Sequence, residues 1–358
     1  MSRIKGLILS GGKGTRLRPL TYSCAKQLVP VANRPTIFYG LEAIKDLGIR
    51  EVGLVVGDRG QEIAGAVGND GGMGLAVTYI KQHEPLGLAH AVQVSREYLA
   101  DSPFIMYLGD NIICGSLAPL VERFQHTKAD GAIMLAEVND PSSYGIAEVA
   151  GDFVTRLVEK PRNPKSNLAI IGVYLLTSRI FQAINSIQPS WRNELEITDA
   201  LQWLVEQGGR ICFYRYSDWW KDTGRIEDLL AANRLVLSDL RVPKGNQLQA
   251  CTGSSLIGNV LIGEGTEVKD SIVKGPVIIG AGCRILNAVI GPFSAIGSSV
   301  VVERTSVEDS IIMDNCSLVG VGNLSGCVIG RGVTLVCEKN AAAGTLILGE
   351  DSVVRIPV

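Results

Sequence analysis

ILSGGKGTRLR, residues 8–18, is the stretch from which the fold of this chain can be worked out. An apolar strand ending at Leu9 leads into a run of glycines and polar residues: Gly11, Gly12, Gly14, Thr15 and Arg16. Glycine can adopt a positive φ and lets backbone N–H groups approach phosphate oxygens without a Cβ in the way. An arginine two positions on adds a forked donor for an anion. The loop therefore predicts a binding site for a nucleoside triphosphate.

Two other phosphate-binding loops make demands that this stretch does not meet. A Walker loop needs Gly-Lys-Ser/Thr, whereas Gly-Lys is followed here by Gly14. A Rossmann fingerprint needs a glycine where Leu17 stands and an acidic residue about 20 positions on, at the end of a strand. Glu42 instead lies in a helical pattern. A purely structural glycine turn is the remaining alternative, but it would not explain the cations Arg18 and Lys26 that follow.

Length and composition define the class of protein. A chain of 358 residues is long enough for two domains, and its net charge of −2 provides no general attraction for nucleic acid. Its eight cysteines include no C-x-x-C, which favours buried free thiols in a reducing compartment. No apolar run reaches the roughly 18 residues that span a bilayer, and the N-terminus lacks a signal-peptide pattern. We therefore expect a cytoplasmic protein without a membrane partner.

The first part of the chain, up to about residue 240, alternates short apolar strands with amphipathic helices. This order predicts an α/β domain with a Rossmann-like, mostly parallel mixed sheet covered by helices on both faces. After the strand that ends at Leu9, the predicted strands cover residues 53–57, 104–108, 132–138 and 169–176. A predicted helix carries Ile37, Leu41 and Ile44, and others cover residues 88–99, 196–207 and 225–240.

The second part has a different period. Ile-Gly pairs recur at the evenly spaced positions Ile262, Ile279 and Ile296, and again at Ile329. A second apolar residue follows six positions after each of several such isoleucines, and six-residue rungs are typical of a β-helix. Three rungs would make a coil of about 18 residues, so a spacing of 17 indicates that one residue is omitted per turn. An antiparallel sandwich would instead show a period of two and hairpin turns. The predicted domains are residues 1–240 and 241–358.

Two aspartates are candidates for a metal site. Asp110 directly follows a predicted strand, and ligands in open α/β sheets bind outside the carboxyl ends of strands. Asp222 lies in WWKDTG. Mg²⁺ takes one or two carboxylates together with phosphate oxygens and water, so the pair suits a metal beside a triphosphate. Either aspartate alone would more often be a helix cap or a turn former. Lys26 and Lys160 are candidate phosphate ligands, although an isolated lysine is usually a solvated surface charge.

The motifs resemble those of the sugar-1-phosphate nucleotidylyltransferases. GGKGTRLRPLT, AKQLVPV, PLGLAHAV, LGDN, VEKP, ELEITD and DTG follow one another in order over residues 4–240. With its repetitive tail, the chain is most similar to the long-form glucose-1-phosphate thymidylyltransferases, which carry a C-terminal left-handed β-helix. The resemblance implies Mg²⁺-dependent attack by glucose 1-phosphate on the α-phosphorus of dTTP. The products would be pyrophosphate and dTDP-glucose for deoxysugar biosynthesis, without a covalent intermediate.

The resemblance also implies roles for individual residues. The predicted catalytic residues are Arg16, Lys26, Asp110 and Asp222, and the two aspartates are the predicted Mg²⁺ ligands. The predicted nucleotide-binding residues are Leu9, Gly11, Gly12, Gly14, Thr15, Arg16, Gln27, Gln82, Gly87 and Asp110. The predicted hexose and sugar-phosphate residues are Tyr144, Gly145, Glu159, Lys160, Val173, Arg192 and Trp220. The chain departs from many relatives in having Trp219 and Lys221 on either side of Trp220.

Other activities remain alternatives. Uracil presents the same hydrogen-bonding edge as thymine, and the missing methyl is worth only about 1–3 kcal/mol, so some use of UTP is expected. A UTP- or GTP-using pyrophosphorylase is the nearest alternative enzyme, and a sugar-nucleotide-sensing regulatory subunit is the non-enzymatic one. An additional acyltransferase activity is disfavoured because all three histidines (His83, His90 and His126) precede the repeats. We expect the repeats to build a homo-oligomer.

Overall fold

The computed structural model describes residues 4–69, 71–242, 251–337 and 344–356. The chain divides into two units: Met1–Lys13 with Ile37–Trp220, and Gly14–Thr36 with Lys221–Val358. The second unit thus combines the repeat region with two segments that precede it in the sequence, one of which carries most of the glycine-loop cations. The division of the chain at residues 240 and 241 into catalytic and repeat domains stays a prediction.

The first unit is built on a nine-stranded mixed sheet. In sheet order its strands are Ala76–Lys81, Glu51–Val56, Lys5–Ser10, Phe104–Leu108, Leu168–Leu176, Gly131–Glu137, Ile211–Arg215, Phe153–Glu159 and Gly145–Ala150. The first four strands are parallel, whereas Leu168–Leu176 runs antiparallel to both of its neighbours. The central parallel strands are almost continuously apolar because helices cover both faces of such a sheet. Asn111–Ile113 is a further short strand of this unit, and Trp220–Asp222 begins in it.

The described residues of the first unit contain seven α-helices: Ile37–Asp46, Gly60–Val67, Leu88–Val94, Arg96–Leu99, Ala118–Thr127, Ile180–Ser186 and Ile197–Glu206. The helices predicted around Ile37 and over residues 196–207 are confirmed. The one predicted over residues 88–99 is broken at Ser95, whose buried hydroxyl donates to the carbonyl of Ala91 at 2.8 Å. A serine hydroxyl that bonds the preceding turn competes with the helical pattern, and periodicity does not reveal that bond.

The second unit begins with residues 14–36. This segment holds three short 3₁₀ turns (Thr15–Leu17, Leu20–Tyr22 and Lys26–Leu28) and a small hairpin of Pro30–Val31 with Arg34–Pro35. The helix Ile226–Ser238 follows later in the chain, close to the predicted range. Leu229, Asn233 and Leu237 recur four residues apart on the buried side of this helix.

The described strands from Cys251 onward form a parallel β-helix, as predicted. One inward-facing column pairs Ile262 with Ile279 and then Ile296, in the register that the sequence predicts. The inward residues of one coil are Ile262, Val268 and Val273, which are separated by six and five positions. The next coil begins at Ile279, six positions after Val273. One residue is therefore omitted at one corner, which accounts for a turn shorter than three complete rungs of six.

The strands of the β-helix are short and lie in two sheets. One sheet contains Cys251–Thr252, Ser255–Ile257, Glu267–Lys269, Ile272–Lys274, Arg284–Leu286, Val289–Ile290, Val301–Glu308, Ser317–Ser325, Thr334–Cys337 and Val353–Ile356. The other contains Val260–Ile262, Val277–Ile279, Ser294–Ile296, Ile311–Ile312, Val328–Ile329 and Ile347–Leu348. The long strand Val301–Glu308 pairs with Arg284–Leu286 through its first residues and with Val289–Ile290 through its last ones. It therefore joins two stacks of short strands into one sheet.

Thiols serve as small core residues, as the sequence predicts. Seven cysteines whose side chains are described are free, and all but Cys114 are buried. The Sγ atoms of Cys283 and Cys316 each lie 3.0 Å from a backbone carbonyl of the next coil. In the coil before Cys283, the hydroxyl of Thr266 makes the equivalent hydrogen bond. Within the described ranges, no helix is both long and apolar enough to cross a bilayer.

Candidate active site

The carboxyl edge of the first unit's sheet brings Leu9 and Asp110 together. Leu9 is paired with Leu108 in the neighbouring strand, and the N–H of Gly109 donates to the carbonyl of Leu9 at 3.0 Å. The turn beyond the strand is held by the buried Asn111, whose amide donates to Oδ1 of Asp110 at 3.1 Å. This bond orients a half-buried carboxylate, a group that can accept several bonds at once, at the edge where α/β sheets bind ligands.

Tyr107 holds this turn by a hydrogen bond from within the core. Its fully buried hydroxyl donates to the carbonyl of Asn111 at 3.1 Å. Burial raises the pKa of the Tyr107 phenol well above its ordinary value, so the hydroxyl remains a donor at physiological pH. Neither Tyr107 nor Asn111 was predicted as a site residue, although Asn111 belongs to the LGDN motif.

The predicted nucleotide residues Gly11, Gln82 and Gly87 form one cluster. A Cβ on Gly11 would lie 2.5 Å from Oε1 of Gln82, so a larger residue there would displace this buried amide. Nε2 of Gln82 donates to the carbonyl of Gly87 at 3.3 Å and lies 3.0 Å from Nδ1 of His90. His90, which was not predicted here, therefore helps to orient the amide. Gly12 is exposed, and a Cβ on it would meet nothing within 4 Å.

Gly87 has a backbone conformation that other residues rarely adopt. Its φ is 106° and its ψ is 173°, and a Cβ would overlap the main chain of Leu195, including its nitrogen at 2.7 Å. The backbone of Leu195 is bonded on both sides of Gly87, to the carbonyl of Leu86 at 2.7 Å and to the N–H of Ala89 at 3.0 Å. Gly87 thus lets the PLGLAHAV and ELEITD motifs pack main chain against main chain.

The predicted hexose residues Tyr144, Gly145, Glu159 and Lys160 are brought together by one antiparallel pair of strands. Gly145 lies opposite Glu159, and the N–H of Lys160 donates to the carbonyl of Tyr144 at 3.0 Å. The ring of Trp220 packs edge-on against Tyr144, with centroids 5.6 Å apart. Val173, in contrast, is fully buried in its strand.

Glu159 is oriented by a residue that was not predicted. The hydroxyl of Thr198 donates to its Oε2 at 2.7 Å, and Nζ of Lys160 lies 3.6 Å from Oε1. A Cβ on Gly145 would lie 2.7 Å from that hydroxyl and 3.0 Å from Oε2, so glycine makes room for the pair. Thr198 occurs in the ELEITD motif, which could have identified it.

Arg192 is held by two carboxylates of the same motif. Its Nη2 donates to Glu194 at 2.7 Å and to the buried Glu196 at 2.9 Å. Burial by itself would lower the pKa of the guanidinium, but the charge and hydrogen bonds of Glu196, together with the charges of Glu194 and Glu159, outweigh burial and raise the pKa. The pKa of Asp199 is raised by burial and then by the charges of Glu196 and Glu159. The predicted sugar-phosphate cation therefore lies in an acidic, partly desolvated setting.

The second unit organises the other half of the glycine loop. Gly14 has a φ of 64°, and a Cβ there would lie 2.9 Å from Cβ of Lys26 and 3.0 Å from Cγ2 of Thr21. The hydroxyl of Thr21 donates to the carbonyl of Gly14 at 2.7 Å. Lys26 and Gln27 are both buried, whereas Thr15 is exposed. The loop is thus packed directly on the stem of the predicted phosphate-binding lysine.

Arg16 and Asp222 both approach Gly224 in the second unit. A Cβ on Gly224 would lie 3.0 Å from Nη2 of Arg16 and 3.0 Å from Oδ1 of Asp222, and that carboxylate oxygen is buried. A side chain at Gly224 would therefore crowd both the cation and the carboxylate, and one of them would have to shift. No group of three or more histidine, cysteine, aspartate or glutamate side chains suited to a metal occurs in the part of the chain that the structure describes.

Comparison with known proteins gives a family and full-length relatives. The nucleotidyl transferase family matches residues 5–239. Glucose-1-phosphate thymidylyltransferases of Streptomyces griseus and Streptomyces antibioticus are 47% and 46% identical, each over 99% of this chain and 99% of the relative. A candidate glucose-1-phosphate thymidylyltransferase of Bacillus anthracis, solved in complex with sucrose, has a TM-score of 0.62 and 33% identity, and the match covers 67% of this chain and 98% of that one. The similarity to the Streptomyces proteins therefore includes the β-helix.

Proposed function

We propose that this chain, which belongs to the nucleotidyl transferase family, transfers a thymidylyl group from dTTP to glucose 1-phosphate and releases pyrophosphate and dTDP-glucose. This is the reaction named for the two full-length Streptomyces relatives. The observation that carries the proposal is that this full-length similarity comes with all four charged residues to which we assign the chemistry: Arg16, Lys26, Asp110 and Asp222.

The reaction is a direct displacement. A phosphate oxygen of glucose 1-phosphate attacks the α-phosphorus of dTTP, the new P–O bond forms as the bond to the β-phosphate oxygen breaks, and pyrophosphate leaves. Such transfers depend on in-line positioning and on neutralisation of charge rather than on a protein nucleophile. In this proposal Gly11, Gly12, Gly14 and Thr15 bind the triphosphate. Arg16 and Lys26 neutralise the charge that develops on the departing pyrophosphate.

A divalent metal completes the proposed site, and we infer that it is Mg²⁺. Asp110 and Asp222 would hold it, since carboxylate oxygens are the donors that this hard ion prefers. When bound, the ion would neutralise charge on the phosphates. The donor chemistry of Asp222 fits this role, since its Oδ1 is a buried carboxylate oxygen. The guanidinium of Arg16, the other group near Gly224, would bind phosphate rather than the ion.

Specificity is proposed to come from two groups of residues. Gln82 and Gln27 would read the pyrimidine edge, because a side-chain amide offers both a donor and an acceptor. Glu159, oriented by Thr198, would accept hydrogen bonds from hexose hydroxyls, with Tyr144 and Gly145 completing the pocket. Lys160 and Arg192 would bind the sugar phosphate. Trp220, whose ring contacts Tyr144, would form one side of the site.

The assembly and location are also proposed. A β-helix has open ends that other subunits can cover, so we infer a homo-oligomer formed through this region. A mass near 38.2 kDa by light scattering at micromolar concentration would contradict this. A nucleotide-sugar enzyme with free cysteines fits the reducing cytoplasm.

A nucleotide panel tests the activity. The full chain is incubated with glucose 1-phosphate, Mg²⁺ and dTTP, UTP or GTP, and pyrophosphate release is followed. We expect dTTP to have the highest kcat/KM and UTP to be lower by about 10- to 200-fold, the range that one methyl group can provide. Release that is absent with dTTP, or faster with UTP or GTP, would contradict the proposal.

A further inference from the structure

Asn233 is a fully buried polar residue on the apolar side of the helix Ile226–Ser238. It lies between Leu229 and Leu237, at a position where the helical pattern would place another leucine. A buried amide is costly unless its donor and its acceptor are both bonded. Its side chain therefore needs particular partners, and these partners define what the helix holds together.

The two partners of Asn233 are distant from it in the sequence, one before it and one after it. Oδ1 accepts from the N–H of Ala32 at 2.9 Å, and Nδ2 donates to the carbonyl of Phe293 in the β-helix at 2.9 Å. Ala32 and Phe293 both have positive φ values, 47° and 62°. Each partner is thus a main-chain group in a tight turn, so the amide clamps two turns onto one helix.

The turn that contains Ala32 is also bonded directly to the β-helix. Ala32 and Asn33 are the two central residues of the hairpin in which Val31 pairs with Arg34. Nδ2 of Asn33 donates to the carbonyl of Ile296 at 2.5 Å. The hairpin is therefore held from one side by the helix and from the other by the coils of the β-helix.

The same segment carries the nucleotide residues of the second unit. Directly after the hairpin, the hydroxyl of Thr36 donates to the carbonyl of Gln27 at 3.1 Å. Gln27 follows Lys26, whose stem packs against Gly14. A second contact with the coils lies near the loop itself, because a Cβ on Gly349 would be 3.3 Å from the carbonyl oxygen of Pro19. A shift of the hairpin would therefore reach the buried lysine and the glycine loop.

We propose that Asn233 is a positioning residue for nucleotide binding, and that the β-helix is a structural part of the nucleotide site rather than only an assembly module. Asn233 holds residues 14–36 against the coils, and so presents Gly14, Arg16 and Lys26 in the conformation that binds the triphosphate. The inference rests on the proposed function in one respect, that residues 14–36 bind the phosphates of the nucleotide.

Three full-length variants test the inference. Asn233→Ala removes both bonds of the clamp. Asn33→Gly removes only the bond to Ile296 and keeps a residue that tolerates the positive φ, so it supplies a milder perturbation should Asn233→Ala not fold. Arg234→Gln is the matched control: it removes the ion pair with Asp309, which joins the same helix to the β-helix through a residue outside the 14–36 segment.

The first measurement compares the KM for dTTP with the KM for glucose 1-phosphate. We expect Asn233→Ala to raise the KM for dTTP by about 10-fold and Asn33→Gly by about threefold, from the cost of unsatisfied main-chain groups. The KM for glucose 1-phosphate should stay within about twofold, as should both constants in Arg234→Gln. An unchanged KM for dTTP, or an equal rise for both substrates, would overturn the proposal.

The second readout does not depend on activity. Hydrogen exchange of peptides that cover residues 14–36 should become faster in Asn233→Ala and Asn33→Gly and remain at the wild-type rate in Arg234→Gln. If the wild-type enzyme did not use dTTP, this measurement would still decide whether Asn233 holds the segment. Wild-type exchange over residues 14–36 in both variants, with a lowered melting temperature only, would show that Asn233 has a merely structural role and overturn the inference.

Discussion

Substitution of Gly87 by alanine, compared with the same substitution at Gly68, should separate the free-energy cost of backbone strain from that of steric overlap. Gly87 and Gly68 both have φ and ψ values that lie in the region reserved for glycine, 106° and 173° for Gly87 and 66° and −154° for Gly68. A Cβ on Gly68 would meet nothing within 4 Å, whereas a Cβ on Gly87 would overlap the backbone of Leu195. Gly68→Ala is therefore a control that has a comparable backbone strain, of the glycine-only kind, without the overlap.

The difference between the two variants can be estimated from these contacts. Backbone strain in this region costs about 1–3 kcal/mol, which both variants should show. Overlap with a main chain that is hydrogen-bonded on both sides can be relieved only by moving it, and such overpacking typically costs about 1–3 kcal/mol more. Gly87→Ala should thus be destabilised by about 2–6 kcal/mol and Gly68→Ala by about 1–3 kcal/mol.

Urea unfolding, followed by circular dichroism, measures both free energies of unfolding by linear extrapolation. Gly87→Ala should also raise the KM for dTTP, because the carbonyl of Gly87 accepts from Gln82, the residue proposed to read the base. Gly68→Ala should leave this KM unchanged. Free energies of unfolding that agree within about 0.5 kcal/mol between the two variants would refute the steric part of the reasoning.

Three further predictions follow from the proposed site. Asp110→Asn should abolish most metal-dependent pyrophosphate release without loss of folding by circular dichroism, and near-normal turnover would contradict the metal assignment. Lys160→Ala should raise the KM for glucose 1-phosphate far more than that for dTTP, and an effect confined to dTTP would reverse the pocket assignment. Asp199→Asn should stabilise the protein near neutral pH, since burial and then the charges of Glu196 and Glu159 raise the pKa of the folded-state carboxyl. Because that carboxylate destabilises the folded state only where it is ionised, the gain in urea midpoint should disappear as pH falls through about 4, and a gain that persists there would contradict the electrostatic cause.

Several features were predictable because they depend on neighbours in the sequence. The even spacing of Ile262, Ile279 and Ile296 is repeated in the register of the coils, since every coil imposes the same alternation of inward and outward residues. Gly14 also has the positive φ that the glycine loop suggested. Local period and local conformational freedom were sufficient for these predictions.

The hexose cluster shows an intermediate case. Tyr144, Gly145, Glu159 and Lys160 were named from motifs, and antiparallel pairing of two strands places them side by side. The groups that orient them, Thr198 on Glu159 and Glu196 on Arg192, were present in a quoted motif but had no predicted role. A motif identifies residues, whereas their hydrogen bonds depend on which elements pack together.

What the sequence by itself determined is the order of the elements, the β-helix repeat and the glycine loop, because each follows from steric and apolar patterns among residues that are close in sequence. Only the tertiary structure decided that residues 14–36 pack with the β-helix, and that Asn233 joins Ala32 to Phe293 across 201 and 60 positions of sequence. In the sequence Asn233 is one polar residue in a helix. Its role depends on two main-chain groups that come within reach only after the coils and the hairpin have folded against the same helix.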